Sequence, residues 1–335
     1  MDSLQEKHID VKRGLHYRYY VSEAGDTSKP TLLLLHGWPD SAHLWHRMLP
    51  DLAKLNLRIL APDLLAYGGS SKPTDPALYD HRLMSADILE TLDAEKIDKV
   101  IPIGHDFGCW FTTKFHLLHP ERCVATVHIG IAYMPPITEM PSLEDLNAMM
   151  VQLYGYPRYS YFHFFTAKDA PELFAANLES AWHVLHGDGE DWVKYIFCTP
   201  DGMRDWITAG RMDVPLRAYA KDEKLKREWM ALMPTAKEWE ASFCWYRAFA
   251  EGIQAEADKA IPVERYKLEL PVLAVMCKGD GVNPPNTLDG PKEAGLLPNL
   301  TEDLLEGGHW CTYEEPEKLS KMIVDFVKEQ GFASS

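Results

Sequence analysis

Apolar runs and stretches of helical spacing alternate through the first third of the chain. Residues 7–21 alternate in polarity, through His8, Ile9, Asp10 and Val11 and again from Leu15 to Val21, predicting two antiparallel strands that turn at Arg13 and Gly14. Residues 31–35 are apolar without a break, the pattern of a central strand buried on both faces, and end in His36-Gly37-Trp38-Pro39. Leu44, Met48, Leu52 and Leu55 then space as a helix over residues 41–55, and residues 57–61 return as a strand ending in Pro62-Asp63. After a Gly-rich turn at residues 67–73 come a helix near residues 78–92, a strand at 100–103, a helix from Phe107 to His119 and a strand at 124–129. This alternation predicts an α/β fold, a mostly parallel sheet with right-handed crossovers and helices on both faces.

The alternation stops at Met134-Pro135-Pro136. Up to about Asp258 the chain has only amphipathic helical stretches crowded with Tyr, Trp, Phe and Met; strands resume at residues 271–277 and 300–305, and a last helix covers 315–329. The expected organisation is a core in two parts, residues 1–134 and 260–335, interrupted by a helical insert over 135–259. Ligands of open α/β sheets sit beyond the carboxyl ends of the strands, so an insert at that edge is expected to act as a lid.

Composition narrows the partners. With 34 basic against 50 acidic residues the net charge is −16, which disfavours nucleic acid and anionic membrane and favours a neutral small molecule. No apolar run reaches the ~18 residues of a membrane span. Residues 1–8 lack the basic end and apolar middle of a signal peptide. Six scattered cysteines without a Cys-x-x-Cys pair fit a reduced, cytoplasmic setting in which thiols fill the core. A homodimer is kept open as an assembly. Lys221 to Glu228 reads as a solvated helix face. His183, His186, Asp188 and Glu190 cluster on paper, but no metal-ligand spacing supports them, and neither metal nor organic cofactor is expected.

Chemistry concentrates at Gly104-His105-Asp106-Phe107-Gly108, where strand must become helix within five residues. Glycines two positions either side of Asp106 remove side chains that would collide as the helix folds back, and Asp106 is forced into a strained apex position. This is the Gly-x-Ser-x-Gly nucleophile elbow with a carboxylate in place of the serine. A carboxylate that attacks carbon makes an alkyl ester, so a histidine base is needed for the hydrolysis that follows and not for the attack.

His309, in Gly307-Gly308-His309-Trp310 after the last strand, is the expected base. Asp280 follows the preceding strand, where a carboxylate can fix the tautomer of the imidazole; Gly279-Asp280-Gly281 is equally a favoured turn sequence. Asp289, Glu302, Asp303 and Glu306 are weaker candidates because none directly follows a strand at the active edge. The backbone N–H groups of Trp38 and Phe107 are expected to form an oxyanion hole, with a cis bond before Pro39 and substrate contacts from His36, Pro39 and Trp310.

In order along the chain, His36-Gly37-Trp38-Pro39, Pro62-Asp63 with the turn at 67–73, Gly104 to Gly108, Asp280 and Gly308-His309 resemble the α/β-hydrolase fold, and within it the epoxide hydrolases, over nearly the whole sequence. The resemblance implies an eight-stranded sheet, an apolar epoxide as substrate, a vicinal diol as product, and two lid tyrosines that hold and protonate the epoxide oxygen. Trp245-Tyr246-Arg247 resembles the segment carrying one of them, and Trp239, Phe243, Tyr246 and Ala250 share one helical face, which predicts a buried phenol. Aligning Phe165 to Asp169 with the family's Phe-Gln-Glu-Pro-Gly run implies Tyr161 as the other. The run departs from that pattern at every residue but Phe165, and Tyr159 stays open among the crowded Tyr154, Tyr156, Tyr159 and Tyr161. A dehalogenase would use the same Asp-His-Asp set, but its halide is often held by an indole N–H directly after the nucleophile, and Phe107 has none. An apex without serine disfavours an esterase, and a non-catalytic receptor on this fold is the remaining alternative.

Overall fold

The structure, a computed structural model, describes residues 1–23, 25–189 and 191–333. Eight strands form one sheet in the order β1-β2-β4-β3-β5-β6-β7-β8: β1 (Gln5–Asp10), β2 (His16–Val21), β3 (Thr31–Leu35), β4 (Ile59–Pro62), β5 (Val100–His105), β6 (Thr126–Ile129), β7 (Val272–Cys277) and β8 (Leu300–Leu305). β1 and β2 form the antiparallel hairpin expected from the alternation at the amino end, with Gly14 at φ 75° in its turn. β2 meets β4 antiparallel, and every pairing from β4 onward is parallel. The apolar run Leu32 to Leu35 lies in the middle with no exposed surface, covered on both faces as an unbroken hydrophobic strand requires.

Two helical segments are broken where continuous helices were expected. Residues 42–55 form a 3₁₀ turn (Ala42–Trp45), a single α turn (Leu49–Leu52) and a second 3₁₀ turn (Ala53–Leu55). Pro50 is the cause. It has no N–H to donate and its ring would strike the carbonyl one turn back, so it is accommodated only in the first turn of a new helix. The next segment divides at Asp80, whose carboxylate accepts from Arg82 N–H and starts the helix His81–Ala94.

Between β6 and β7 the described residues hold helices and one isolated bridge, Gly187 with Leu216. The helix Ala236–Ala250 was expected to bury one face, but residues 241–249 are buried all round, because the sheet edge lies on one side and other helices of the segment on the other. Trp38, just beyond β3, is embedded in that aromatic cluster, with ring centroids 4.5 Å from Phe165 and 5.8 Å from Tyr246, and its Nε1 donates to Ser242 Oγ at 3.3 Å. Lys114, on the helix Phe107–Leu118, meets Asp258 at 2.5 Å with both side chains buried. Asp258 also accepts from Ile137 N–H at 2.8 Å, so one carboxylate ties both ends of the helical segment to the helix behind Asp106. All six cysteines are free and buried. Among the described residues no helix is long and apolar enough to cross a membrane.

Candidate active site

β5 ends at His105 and a helix begins at Phe107, leaving Asp106 alone to make the turn at φ 53° and ψ −127°. A non-glycine residue in that region stores about 1–3 kcal/mol of strain, held here by its surroundings. A side-chain carbon at Gly104 would lie 2.3 Å from Gly108 O, and one at Gly108 would lie 2.0 Å from Leu35 O, so both must be glycine for helix to lie on strand. Gly37 makes the same concession to Asp106: a Cβ there would stand 2.4 Å from its carboxylate. The apex is 8 % exposed, because the helical segment covers it.

Three loops converge on this turn. From the end of β3, the Trp38 N–H donates to Asp106 Oδ1 at 2.8 Å. After β7, Asp280 receives the Val282 and Asn283 N–H groups on Oδ1 at 2.9 and 3.0 Å, leaving Oδ2 to accept from His309 Nδ1 at 2.7 Å. After β8, His309 directs Nε2 at Asp106 Oδ2 across 3.6 Å. The elbow also holds His309 from behind: His105, without exposed surface, donates from Nε2 to the carbonyl of His309 at 2.8 Å.

The electrostatics follow from burial and pairing. Burial disfavours charge on His309, but Asp280 and then Asp106 outweigh it and raise the imidazole to about 9. Burial raises Asp106 above the usual carboxylate range, against the opposing pull of His309 and the Phe107 and Trp38 N–H groups. Asp280 is equally buried, yet its bond to His309 and its two backbone donors bring it below that range.

Facing Asp106 is a cavity lined by aromatic and apolar groups of both layers, Phe107, Trp110, Tyr161, Phe162 and Phe249 among them, with Asn283 at its edge. Tyr161 borders it, and the ring of Tyr246, 2 % exposed, lies 5.8 Å from that of Tyr161 and 4.7 Å from Phe107. Burial raises both phenols well above 10, and the charge of Asp106 adds to the rise in each. Neither hydroxyl forms a hydrogen bond among the described residues. Tyr159 also borders the cavity, but its ring packs on Phe162 and under the Arg158 guanidinium.

His36, Pro39 and Trp310 do not line this cavity, against expectation. His36 has no exposed surface, and both its ring nitrogens are spent, Nε2 accepting from Leu64 N–H and Nδ1 donating to Gly37 O, each at 2.9 Å; burial lowers it to about 4. It is a strut between the loops after β3 and β4. Pro39 is buried behind the expected cis bond. Trp310 turns away to donate from Nε1 to Asp40 Oδ2 at 3.2 Å. Conversely, Trp110, Ile131, Met134, Phe162, Phe249 and Asn283 border the cavity without having been singled out. Trp110 and Phe249, one on the elbow helix and one a turn beyond Tyr246, carried a helical-spacing signal; the others are set by packing. Glu190 of the paper metal cluster lies outside the described residues, His186 is bonded to Tyr219 and His183 to Val214 O, and among the described residues no set of three ligands is placed for a metal ion.

A family profile described as alpha/beta hydrolase fold matches residues 30–316. The chain belongs to the alpha/beta hydrolase fold family. The chain is 27% identical to the curated Epoxide hydrolase A of Mycobacterium tuberculosis, over 92% of this chain and 94% of that one. It is 24% identical to Epoxide hydrolase srdG of Neurospora crassa, over 94% and 92% of the two chains. Among solved structures, an epoxide hydrolase from an endophytic Streptomyces superposes with a TM-score of 0.80 at 21% identity, covering 99% of this chain and 98% of that one. The epoxide hydrolase VrEH1 of Vigna radiata gives 0.79 at 20%, over 98% and 99%. At these identities the structural likeness is one of fold.

Proposed function

We propose that this alpha/beta hydrolase is an epoxide hydrolase. The observation that carries the proposal is a carboxylate at the elbow apex, 3.6 Å from the imidazole of His309, below a cavity bordered by Tyr161 with Tyr246 beside it. Its curated relatives, similar along nearly their whole length, bear that name.

In the first step Asp106 Oδ2 attacks one epoxide carbon; the new C–O bond forms as the ring C–O bond breaks, and a phenol of the Tyr161 and Tyr246 pair protonates the departing oxygen. Oδ1, held by Trp38 N–H, stays behind as the ester carbonyl. In the second step His309 takes a proton from water, whose oxygen adds to the Asp106 carbonyl carbon while the Trp38 and Phe107 amides stabilise the oxyanion. Collapse releases a vicinal diol as His309 returns its proton to the leaving diol oxygen, and the second proton of the water, left on the regenerated Asp106 carboxyl, passes back to the phenolate, restoring carboxylate and phenol. Asp280 orients the imidazole and stabilises its charged form. The helical residues 135–259, inserted between core segments 1–134 and 260–335, act as the lid that excludes bulk water, and the aromatic lining suits a small apolar epoxide.

A single turnover in oxygen-labelled water tests this. The diol formed first takes its new oxygen from Asp106 and is unlabelled, and the label is left in the enzyme. A labelled diol on the first turnover would mean direct attack by water and would remove Asp106 from its role.

A further inference from the structure

Beside the acid loop lies a polar assembly that the two chemical steps do not use. Arg158 is 4 % exposed, yet no carboxylate pairs with it among the described residues. Its guanidinium lies against the rings of Tyr154 and Tyr159, with its carbon 4.6 and 5.3 Å from their centroids, and donates from Nε to Val282 O at 2.6 Å. From Nη2 it donates to Asn283 Oδ1 at 2.9 Å.

A guanidinium can only donate, so it dictates which way the Asn283 carboxamide faces. The oxygen is drawn to Arg158 and the amide nitrogen is left on the other side. Asn283 is 6 % exposed and borders the cavity that holds Asp106, and its Nδ2 forms no hydrogen bond among the described residues. The loop cannot swing to satisfy it elsewhere: Asn283 N–H is bonded to Asp280 Oδ1, and Tyr156 Oη donates to Gly281 O at 2.7 Å. The amide's two N–H donors are therefore left for whatever enters the cavity. The positive charge behind it also polarises the amide toward donation.

We infer that the Asn283 carboxamide, oriented by Arg158, is a specificity-determining donor that selects epoxides carrying a second oxygen acceptor near the ring. This deepens the epoxide hydrolase reading and rests on it. A site built to donate to a substrate oxygen discriminates against the analogue lacking it, because the donor is then left unpaired.

The test compares kcat/KM for terminal epoxides bearing an ether, ketone or hydroxyl oxygen beside the ring, each against its hydrocarbon isostere such as epoxyoctane for butyl glycidyl ether. The wild-type protein should prefer at least one oxygenated member, and Asn283→Leu should reduce that preference about tenfold. The ratio cancels any general loss of rate from disturbing the neighbouring Asp280. Asn283→Asp, which keeps the shape and pairs with Arg158, should lose the ether and ketone preference while a hydroxyl, able to donate, retains it; this variant decides the matter if the leucine variant does not fold. No preference in the wild type, or ratios unchanged in the variants, would overturn the inference while the enzyme still turns over epoxides. No turnover of any epoxide would overturn the functional reading instead, and this inference with it.

Discussion

His309 stands 2.7 Å from Asp280 through Nδ1 and 3.6 Å from Asp106 through Nε2. In the proposed reaction this inequality separates a permanent partner from a reacting one. The short bond fixes the tautomer and ring plane, and the longer approach leaves Nε2 free to turn to water once Asp106 has become an ester.

Removing the base should therefore split the reaction. His309→Gln is expected to alkylate and then stall, with turnover falling by about 10³-fold or more. Intact-protein mass spectrometry after mixing with epoxide should show the enzyme heavier by one substrate. An unmodified variant would place His309 in the first step.

The acid limb of the second step has a definite sign. Asp280 and Asp106 together raise His309 from 6.5 to about 9, and esterification removes the charge of Asp106. Decay of the alkyl-enzyme in single-turnover experiments should speed up with rising pH, with a midpoint below 9. In the resting protein the raised value is also a stability effect: it is fully present below pH 6.5 and is lost as pH rises through 9. Denaturation of wild type and His309→Gln at several pH values should show their difference narrowing over that window.

Burial and the charge of Asp106 raise both the Tyr161 and Tyr246 phenols, whereas the Tyr159 ring is covered by the Arg158 guanidinium. Tyr161→Phe and Tyr246→Phe should each slow alkylation by about 10–100-fold, and the double variant should nearly abolish it. Tyr159→Phe should leave the alkylation rate within about threefold. Stopped-flow tryptophan fluorescence would follow the step, and a larger loss from Tyr159 than from Tyr161 would exchange their roles.

Lys114 and Asp258 form a buried pair that also secures Ile137. Lys114→Met leaves Asp258 charged and unpaired in the interior and should cost about 3–5 kcal/mol in urea unfolding. Adding Asp258→Asn should recover part of this. No recovery would mean the packing, and not the charge, makes the contribution.

The sequence by itself determined the sheet and the sharp turn that carries Asp106. Unbroken apolar runs such as Leu32 to Leu35 have no stable place except a strand covered on both sides, and Gly104 and Gly108 around Asp106 leave the backbone little choice but a sharp strand-to-helix turn. His309 and Asp280 were legible because each directly follows a strand at one edge. What tertiary structure decided is which polar groups are already spoken for. His36 and Trp310 carry the same chemistry in the sequence as a substrate ligand would, and only their bonds to Leu64, Gly37 and Asp40 turn them into struts. Asn283 gave no signal, because its free amide depends on Arg158, 125 residues away in the chain. Local pattern records what a residue can do; hydrogen-bond satisfaction is a property of the packed interior, and it sets which of those capacities remain for a ligand.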